Sequence, residues 1–303
     1  MYGRSHLLYT DRLRNKYKLY IIRKPFRYWF PGTNVVKEIV KVYGNKIRDG
    51  DIIVISDKAL NIALGNIYDE SNIYVDPITN AMTFITSKIL WGYFLKGIFI
   101  NIDTVRLINE TPLKLLAKHK KLALSIGGLK HFLKPLSEAG IDVTNLPYQY
   151  VSIPIKNISN VVREIKDAID RKLLVDINVL VVDTDKCFVF KDIKSLAIAS
   201  RPSAIKGVID LGFIAYILGK TLKNLFEVFP TPTAYQGIWL GLYTILRLAH
   251  IAERFRGHGA GRNIIEMSRM LGVKSFECVT WSSLRKIKHY PVILLRFKNK
   301  KLC

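Results

Sequence analysis

Two short segments place carboxylates beside small hydroxyl and amide side chains. Segment 138–145, Glu-Ala-Gly-Ile-Asp-Val-Thr-Asn, contains Asp142, and segment 181–185, Val-Val-Asp-Thr-Asp, contains Asp183. Each carboxylate stands at the edge of an apolar run, where a strand is expected to end and a loop to begin. Mg²⁺ and Mn²⁺ take carboxylate oxygens and water, with substrate phosphates often completing the shell. The pair therefore predicts a divalent-cation site, although a turn residue and a strand-end cap would look the same singly.

A glycine-rich segment is the second candidate for chemistry. Residues 257–262 read Gly-His-Gly-Ala-Gly-Arg and precede a helical pattern that begins at Asn263. Glycines let backbone amides approach an anion, and the start of a helix offers unpaired N–H groups. The segment lacks the Gly-Lys-Ser/Thr ending of a Walker A motif, and it follows a helix where a Rossmann fingerprint follows a strand. Phosphate binding and a flexible turn between helices both remain open.

The elements that must position these residues are of mixed type. Alternation of β-branched residues predicts strands, and spacings of three and four predict helices between them. The order is not strictly alternating, which favours a mixed α/β or α+β architecture over a regular doubly wound sheet. Predicted strands cover 18–22, 51–56, 97–102, 122–125, 150–155, 175–183 and 292–297, and predicted helices cover 35–43, 103–108, 161–171, 237–254 and 263–271.

The charge balance points to polyanions as partners. The chain of 303 residues has 47 Lys and Arg against 24 Asp and Glu, a formal net charge of +23. Cations and interleaved aromatic residues crowd residues 1–24, which we interpret as a basic amino-terminal arm on a core of residues 25–303. The segment after Thr280 is also basic and has no acidic residue. A surface for nucleic acid and a general lysine-rich surface are both consistent with this pattern.

Cysteine usage and hydropathy suggest a cytoplasmic protein without a membrane span. The three cysteines are widely spaced and odd in number, so no disulfide framework or zinc pair is expected. The apolar stretch from Phe229 to Leu246 contains prolines and ends at Arg247, which predicts a buried helix. His119, within a Lys-His-Lys-Lys run, is expected at a solvated helix end, whereas amphipathic patterns around His131 and His250 favour core or interface positions.

The two acidic segments together resemble the coenzyme F420-0:gamma-glutamyl ligase superfamily, whose hallmark is an Asn-Ala-Gly-Val-Asp-x-Ser-Asn-like stretch followed by a strand ending in Asp-Thr. Segment 49–65, with Gly-Asp, a strand and Lys58, resembles the family's amino-terminal element. Segments 231–234, 256–262, 279–281 and 289–292 resemble a less characterised branch of archaeal and bacterial ligase-like proteins.

The chain also departs from the coenzyme F420 ligases. A Ser-Lys-x-Glu-Gly run is replaced by Asn-Ile-Ala-Leu-Gly at 61–65, and the loop after Asp-Thr reads differently at 185–190. An acidic residue expected between Gly212 and Gly219 is absent, unless Asp210 replaces it. The departures leave the acceptor substrate open. They also leave open a catalytically reduced member that binds RNA or a ribonucleoprotein through its basic ends.

The resemblance implies a metal- and nucleotide-dependent carboxylate–amine ligase. It implies an intertwined fold, a homodimer with its active site near the subunit interface, Mg²⁺ or Mn²⁺, GTP or ATP, an amino acid and a carboxylate acceptor such as coenzyme F420-0. Reaction would proceed through an acyl phosphate that the amine attacks. The residues assigned on this basis are Asp142, Asp183 and Thr184 for metal, Lys58, Asn145, Gly257, Gly259, Gly261 and Arg262 for nucleotide phosphates, and Arg201 for an anionic substrate group.

Overall fold

The computed structural model describes residues 17–97, 99–100, 102–135 and 138–299. Its strands are β1 (Tyr17–Arg23), β2 (Ile52–Ser56), β3 (Ile67–Asp69), β4 (Tyr150–Ser152), β5 (Asn178–Phe190), β6 (Ala197–Ala199), β7 (Val208–Asp210), β8 (Phe226–Gln236) and β9 (Val292–Asn299). Its α-helices are α1 (Val35–Tyr43), α2 (Asp57–Ala63), α3 (Pro77–Thr83), α4 (Ile102–Glu110), α5 (Leu113–Gly127), α6 (Leu129–Phe132), α7 (Ile158–Leu173), α8 (Phe213–Thr221), α9 (Leu242–Arg256), α10 (Ile264–Leu271) and α11 (Trp281–Leu284).

One mixed sheet organises the molecule. Its strand order is β1-β9-β2-β5-β6-β7, and β8 also pairs with β5. Strands β2 and β5 are parallel, whereas β9 and β8 run antiparallel to the strands beside them. Strands β3 and β4 form a separate antiparallel pair. The mixed α/β class expected from the sequence is therefore confirmed.

The two faces of the sheet bury alternate residues of the same strands. Ile53 and Ile55 of β2 pack in a cluster that includes residues of α1, α2 and α7. Ile52 and Val54 face the opposite side and pack against residues of α9. This alternation follows from the two-residue repeat of a strand, and burial of both faces explains why β2 is continuously apolar. The helices on the two faces hold the carboxyl ends of β2 and β5 in fixed positions.

Several sequence expectations need correction. The predicted strand 122–125 lies within α5, where leucine, alanine and lysine favour a long helix. The stretch from Phe229 to Leu246 is divided between the end of β8 and the start of α9, with Gly241 at the helix start. The predicted strand 97–102 contains only an isolated bridge between Lys96 and Ile100 within its described residues, before α4 begins.

The predicted amino-terminal arm falls partly outside the described residues. Residues 1–16 are not described, and the remainder forms β1, which pairs with β9. Among the described residues, none of the helices has the length and apolar character needed to cross a membrane.

Candidate active site

Most of the predicted site residues meet in one cavity of about 810 Å³. The cavity lies where the parallel strands β2 and β5 end their pairing, a position at which α/β proteins commonly bind ligands. Its lining brings together residues that are far apart in sequence. These include Lys58, Asp142, Asn145, Asp183, Thr184, Gly257, Gly259, Gly261 and Arg262.

An irregularity in β5 exposes the second acidic segment to the cavity. Asp183 pairs with Thr231 of β8, but the next paired residue of β5 is Lys186, which pairs with Pro230. Thr184 and Asp185 are thus extra residues in β5, and both line the cavity. Bulges of this kind redirect side chains and often occur beside functional sites. The apolar run 175–182 predicted the strand, but the bulge depends on the partner strand and could not be read from β5 alone.

Lys58 ties the first acidic segment to the start of α2. The Ser56 side chain caps this helix by accepting a hydrogen bond from the Ala59 N–H, and Lys58 therefore lies in the first turn. The Lys58 ammonium group is 2.6 Å from Asp142 Oδ2 and also bonds the Thr144 hydroxyl. Asp142 Oδ1 accepts hydrogen bonds from the Thr144 N–H and hydroxyl, both at 2.9 Å. Lys58, Asp142 and Thr144 thus form one ion-paired group on the cavity wall.

A buried ion network centred on Arg201 fixes the position of the second acidic segment. Arg201 Nη1 lies 2.6 Å from Asp183 Oδ2 and 3.0 Å from Asp57 Oδ2. Asp57 Oδ1 accepts a hydrogen bond of 2.9 Å from the Thr233 hydroxyl. Gly140 packs so closely on the guanidinium that a Cβ atom there would lie 2.6 Å from Arg201 Cζ.

The structure gives Arg201 a different position from the one expected of a substrate contact. Its side chain is only 2% exposed and is not among the described residues that line the cavity. A buried guanidinium between two carboxylates positions them and is not free to meet a substrate. Asp210, considered as a replacement for a missing acid, bonds Lys130 and His131 and also does not line this cavity.

The pKa values of the two carboxylates at the bulge, Asp183 and Asp185, are shifted in opposite directions. Burial opposes ionisation of Asp183, but Arg201, with Lys58 and Arg256, more than offsets burial and lowers its pKa. Burial raises the pKa of Asp185, and Lys134, 3.0 Å away, only partly counteracts this. Asp183 therefore presents a negative charge to the cavity.

The glycine segment packs directly on the first acidic segment. It connects α9 to α10, as the sequence predicted. Asn145 Oδ1 accepts a hydrogen bond of 2.5 Å from the Ala260 N–H. Gly259 has a φ of +62°, and a Cβ atom there would lie 2.4 Å from Asn145 Oδ1. Glycine is required at this position by both conformation and space.

Several cavity residues received no role in the sequence analysis. Arg256, directly before the glycine segment, donates to the Val182 carbonyl at 3.0 Å and pairs with Glu253 at 2.5 Å. Because Arg256 directly precedes Gly257, the sequence alone could have indicated that it belongs to the site. His289 also lines the cavity, beside Tyr290.

The prediction that His119 lies at a solvated helix end was wrong. Its Nδ1 lies 2.6 Å from Glu70, and its Nε2 lies 3.1 Å from Glu138, which is also 2.6 Å from Lys120. Burial opposes protonation, but Glu70 and Glu138 more than offset it and raise the pKa of His119 to about 10. The imidazole is therefore a partly buried cation between two carboxylates. The long separation from Glu70 hid this pairing from local sequence patterns.

The donor atoms at the cavity are of the chemical type that hard divalent cations bind. Asp142 and Asp183 supply carboxylate oxygens and Thr184 a hydroxyl, and all three line the same space. Within the described ranges there is no group of three or more His, Cys, Asp or Glu residues arranged to hold a metal. A site with two protein carboxylates is completed by water and phosphate oxygens, as Mg²⁺ commonly requires. Each carboxylate is balanced by a protein cation, Lys58 or Arg201.

Comparison with known proteins places these residues in a family. An uncharacterized protein of Methanocaldococcus jannaschii is 31% identical over 275 residues, which cover 88% of this chain and 91% of the relative. The sequence model of the F420-0:gamma-glutamyl ligases matches residues 27–211, more than half of the chain. The match includes Lys58, Asp142 and Asp183 but ends before the glycine segment. The chain therefore belongs to the F420-0:gamma-glutamyl ligase family.

Proposed function

We propose that this chain is a metal- and nucleotide-dependent carboxylate–amine ligase of the gamma-glutamyl type. Its acceptor would be coenzyme F420-0 or another carboxylate, and its donor amine an amino acid. The observation that carries the proposal is the single cavity in which Lys58, Asp142 and Asp183 meet the glycine segment. Family membership supports the ligase class.

The cavity offers a suitable environment for a nucleoside triphosphate, GTP or ATP. Lys58 and Arg256 supply positive charge to the cavity. Three residues of the glycine segment line it, Gly257, Gly259 and Gly261, so the backbone of this segment borders the same space. Preorganised cations and amides stabilise the charge that moves during phosphoryl transfer without the need for reorientation. Lys58 would release Asp142 and turn to the phosphates when the nucleotide binds. Arg262 lies at the open edge, where its side chain is 70% exposed.

Asp142, Asp183 and Thr184 would hold Mg²⁺ or Mn²⁺. The ion would neutralise phosphate charge and orient the nucleotide. The protein's own part is to keep Asp183 ionised and to orient both carboxylates toward the cavity. Arg201 does this for Asp183 from behind, and the Thr144 N–H and hydroxyl orient Asp142.

The direct test of the proposal is nucleotide turnover that requires both an amine and a carboxylate. Purified protein with MnCl₂ or MgCl₂ is incubated with GTP or ATP, L-glutamate and each member of a panel of carboxylates that includes coenzyme F420-0. Phosphate release and the amide product are measured together. Turnover without amide formation under every condition would refute a ligase.

A homodimer would bury an apolar face that the fold leaves exposed. Residues Phe84–Phe94 form a π-helical segment after α3. Ile85 is 56% exposed, Tyr93 63% and Phe94 64%, spaced so that they lie near one another on one side of the segment. Contiguous exposed apolar side chains mark interaction surfaces. We assign this face, defined by Ile85, Ile89, Tyr93 and Phe94, to the subunit interface that family membership suggests.

A second candidate function is binding of RNA through the basic ends, and the sheet register favours it. Pairing of β1 with β9 places Lys18 opposite Lys298 and Tyr20 opposite Arg296. Both lysine ammonium groups approach the exposed Tyr20 ring, at 5.5 Å and 4.9 Å from its centroid. Cations around an exposed aromatic ring suit a stacked base and its phosphates. Arg296 contributes less, because it is paired with Asp51 at 2.6 Å.

Replacement of either metal-site carboxylate is expected to weaken cation binding. Asp142→Asn and Asp183→Asn each remove one anionic oxygen ligand, so Mn²⁺ affinity should fall about tenfold or more in isothermal titration calorimetry. Asp103→Asn is the matched control, since this exposed carboxylate also lines the cavity but has no role in the site. Wild-type affinity in both test variants would reject the metal site.

Two glycine variants distinguish a steric clash from backbone strain as the cause of weaker nucleotide binding. Gly259→Ala and Gly257→Ala both place a side chain at positive φ, +62° and +75°, but only the first clashes with Asn145. Gly259→Ala should weaken GTP binding about tenfold more than Gly257→Ala, because it displaces Asn145 and obstructs the loop amides. Fluorescence titration with a labelled GTP analogue measures both. Equal affinities would show that Asn145 and the loop do not hold the nucleotide.

Substitution in the proposed interface is expected to lower the molecular mass in solution from that of a dimer to that of a monomer. The wild-type chain should scatter light as a dimer, and the double variant Tyr93→Glu, Phe94→Glu as a monomer, since two buried carboxylates would oppose association. Trp239→Glu, at a 51% exposed position elsewhere, should remain dimeric. A monomeric wild-type chain, or a dimeric double variant, would contradict this interface.

For the RNA candidate, the logarithm of affinity for a single-stranded RNA should fall linearly with the logarithm of salt concentration. Deletion of residues 1–16 removes four cations, Arg4, Arg12, Arg14 and Lys16, and should flatten the slope by about 0.7 for each phosphate that these cations neutralise. A matched variant with Lys37, Lys41, Arg163 and Lys172 replaced by serine should keep the wild-type slope. Weak binding of the full chain at low salt would end this candidate.

A further inference from the structure

Among the described residues, three histidines line the cavity, and their environments differ. His119 is bound on both sides by Glu70 and Glu138 and is held protonated. His258 belongs to the glycine segment, and partial desolvation and then Arg262 lower its pKa. His289 alone of the three is held within an aromatic cluster.

The position of His289 is fixed by its neighbours. Its carbonyl accepts a hydrogen bond of 2.7 Å from the Phe26 N–H, in an isolated bridge just before β9. Its ring lies between those of Tyr28 and Trp29, with centroids 5.2 Å and 6.0 Å away. The Tyr28 hydroxyl in turn donates to the Asn145 carbonyl, which links this cluster to the acidic segment.

The Nε2 atom of His289 is buried and has no hydrogen-bond partner among the described residues. Buried polar atoms without partners are rare in native proteins, because each costs about 1–3 kcal/mol. His289 lines the cavity, so a bound ligand with a polar hydrogen that reached Nε2 would supply the missing partner.

Burial, and then two neighbouring cations, keep the His289 imidazole neutral. Burial, followed by Arg256 and Lys58, lowers its pKa to about 3. The ring is therefore uncharged at neutral pH and keeps one nitrogen lone pair, but in this state it is a weak base. An anion that covered Arg256 and Lys58 would remove their repulsion and make the ring more basic. The same cations are those assigned to the nucleotide phosphates, so basicity would rise when the cavity is loaded.

We infer that His289 accepts the proton that the incoming amine must lose before it forms the amide bond. This role rests on the proposed ligase function. With the proton on Nδ1, the Nε2 lone pair takes a proton from the ammonium group of the amino acid. The freed nitrogen lone pair forms the C–N bond to the acyl phosphate, and the C–O bond to phosphate breaks. Inorganic phosphate leaves with that electron pair and takes the second proton that the nitrogen loses, so that it departs as hydrogen phosphate. The proton on His289 then passes to solvent.

Two amines of different basicity test this role. L-glutamate is largely protonated at neutral pH and needs a proton acceptor, whereas hydroxylamine is largely unprotonated and does not. His289→Gln should lower glutamate ligation about a hundredfold, within the usual range for loss of a general base, and hydroxamate formation much less. The acceptor is the panel carboxylate that supports wild-type turnover. The exposed His250→Gln variant should change neither rate.

An equal fall in both rates, or no fall in either, would overturn the role of His289 while leaving the ligase intact. A wild-type chain inactive with the whole panel would overturn both. Should His289→Gln fail to fold, ring ¹⁵N spectra of the histidine-labelled wild-type protein decide. Addition of inorganic triphosphate should shift the His289 signal, and an unchanged signal at saturation would overturn the inference.

Discussion

The ion network of Asp57, Arg201 and Asp183 is the constraint on which the candidate site depends. Asp57 begins α2, and Asp183 lies where β5 leaves its regular pairing, so Arg201 joins the two elements that frame the cavity. Desolvating such charges is costly, and loss of one partner from a buried group typically destabilises by about 3–5 kcal/mol. The network is better explained as a means of presenting an ionised Asp183 than as a source of stability.

The cavity brings carboxylates and cations together, and a nucleotide bound with a metal ion needs both. Carboxylates alone would repel a triphosphate, and cations alone would bind it without leaving a place for a metal. Here Asp142 and Asp183 each face a cation of the protein, which keeps the empty cavity near balance. In the proposed function Lys58 would exchange Asp142 for phosphate, whereas the Arg201 guanidinium is buried and packed closely by Gly140. Of the two cations that pair with these carboxylates, Lys58 lies on the cavity wall and Arg201 is buried outside the lining.

Much of this arrangement was open to prediction from sequence, and the reasons for the exceptions are physical. Helix α1 follows from local periodicity and strand β2 from a short run of β-branched apolar residues, and Asp-Thr at 183–184 marked the end of another apolar run. The meeting of Asp142 with Lys58 depended on family resemblance, because 84 residues separate them. The bulge in β5, the pairs around His119 and the burial of Arg201 arise from tertiary contacts that leave no local pattern. Asn61 shows this well. It stands within the segment that departs from the coenzyme F420 ligases, yet its amide supports Asp57 at 3.1 Å.

The most direct test of ligase chemistry follows an oxygen atom. An acceptor carboxylate labelled with ¹⁸O is supplied with the nucleotide, metal and L-glutamate, and the released inorganic phosphate is analysed by mass spectrometry. Activation of the carboxylate by phosphoryl transfer predicts that ¹⁸O from the acceptor appears in the phosphate in step with amide formation. Phosphate that carries no label, with its oxygen drawn from water, would contradict the account and indicate simple nucleotide hydrolysis.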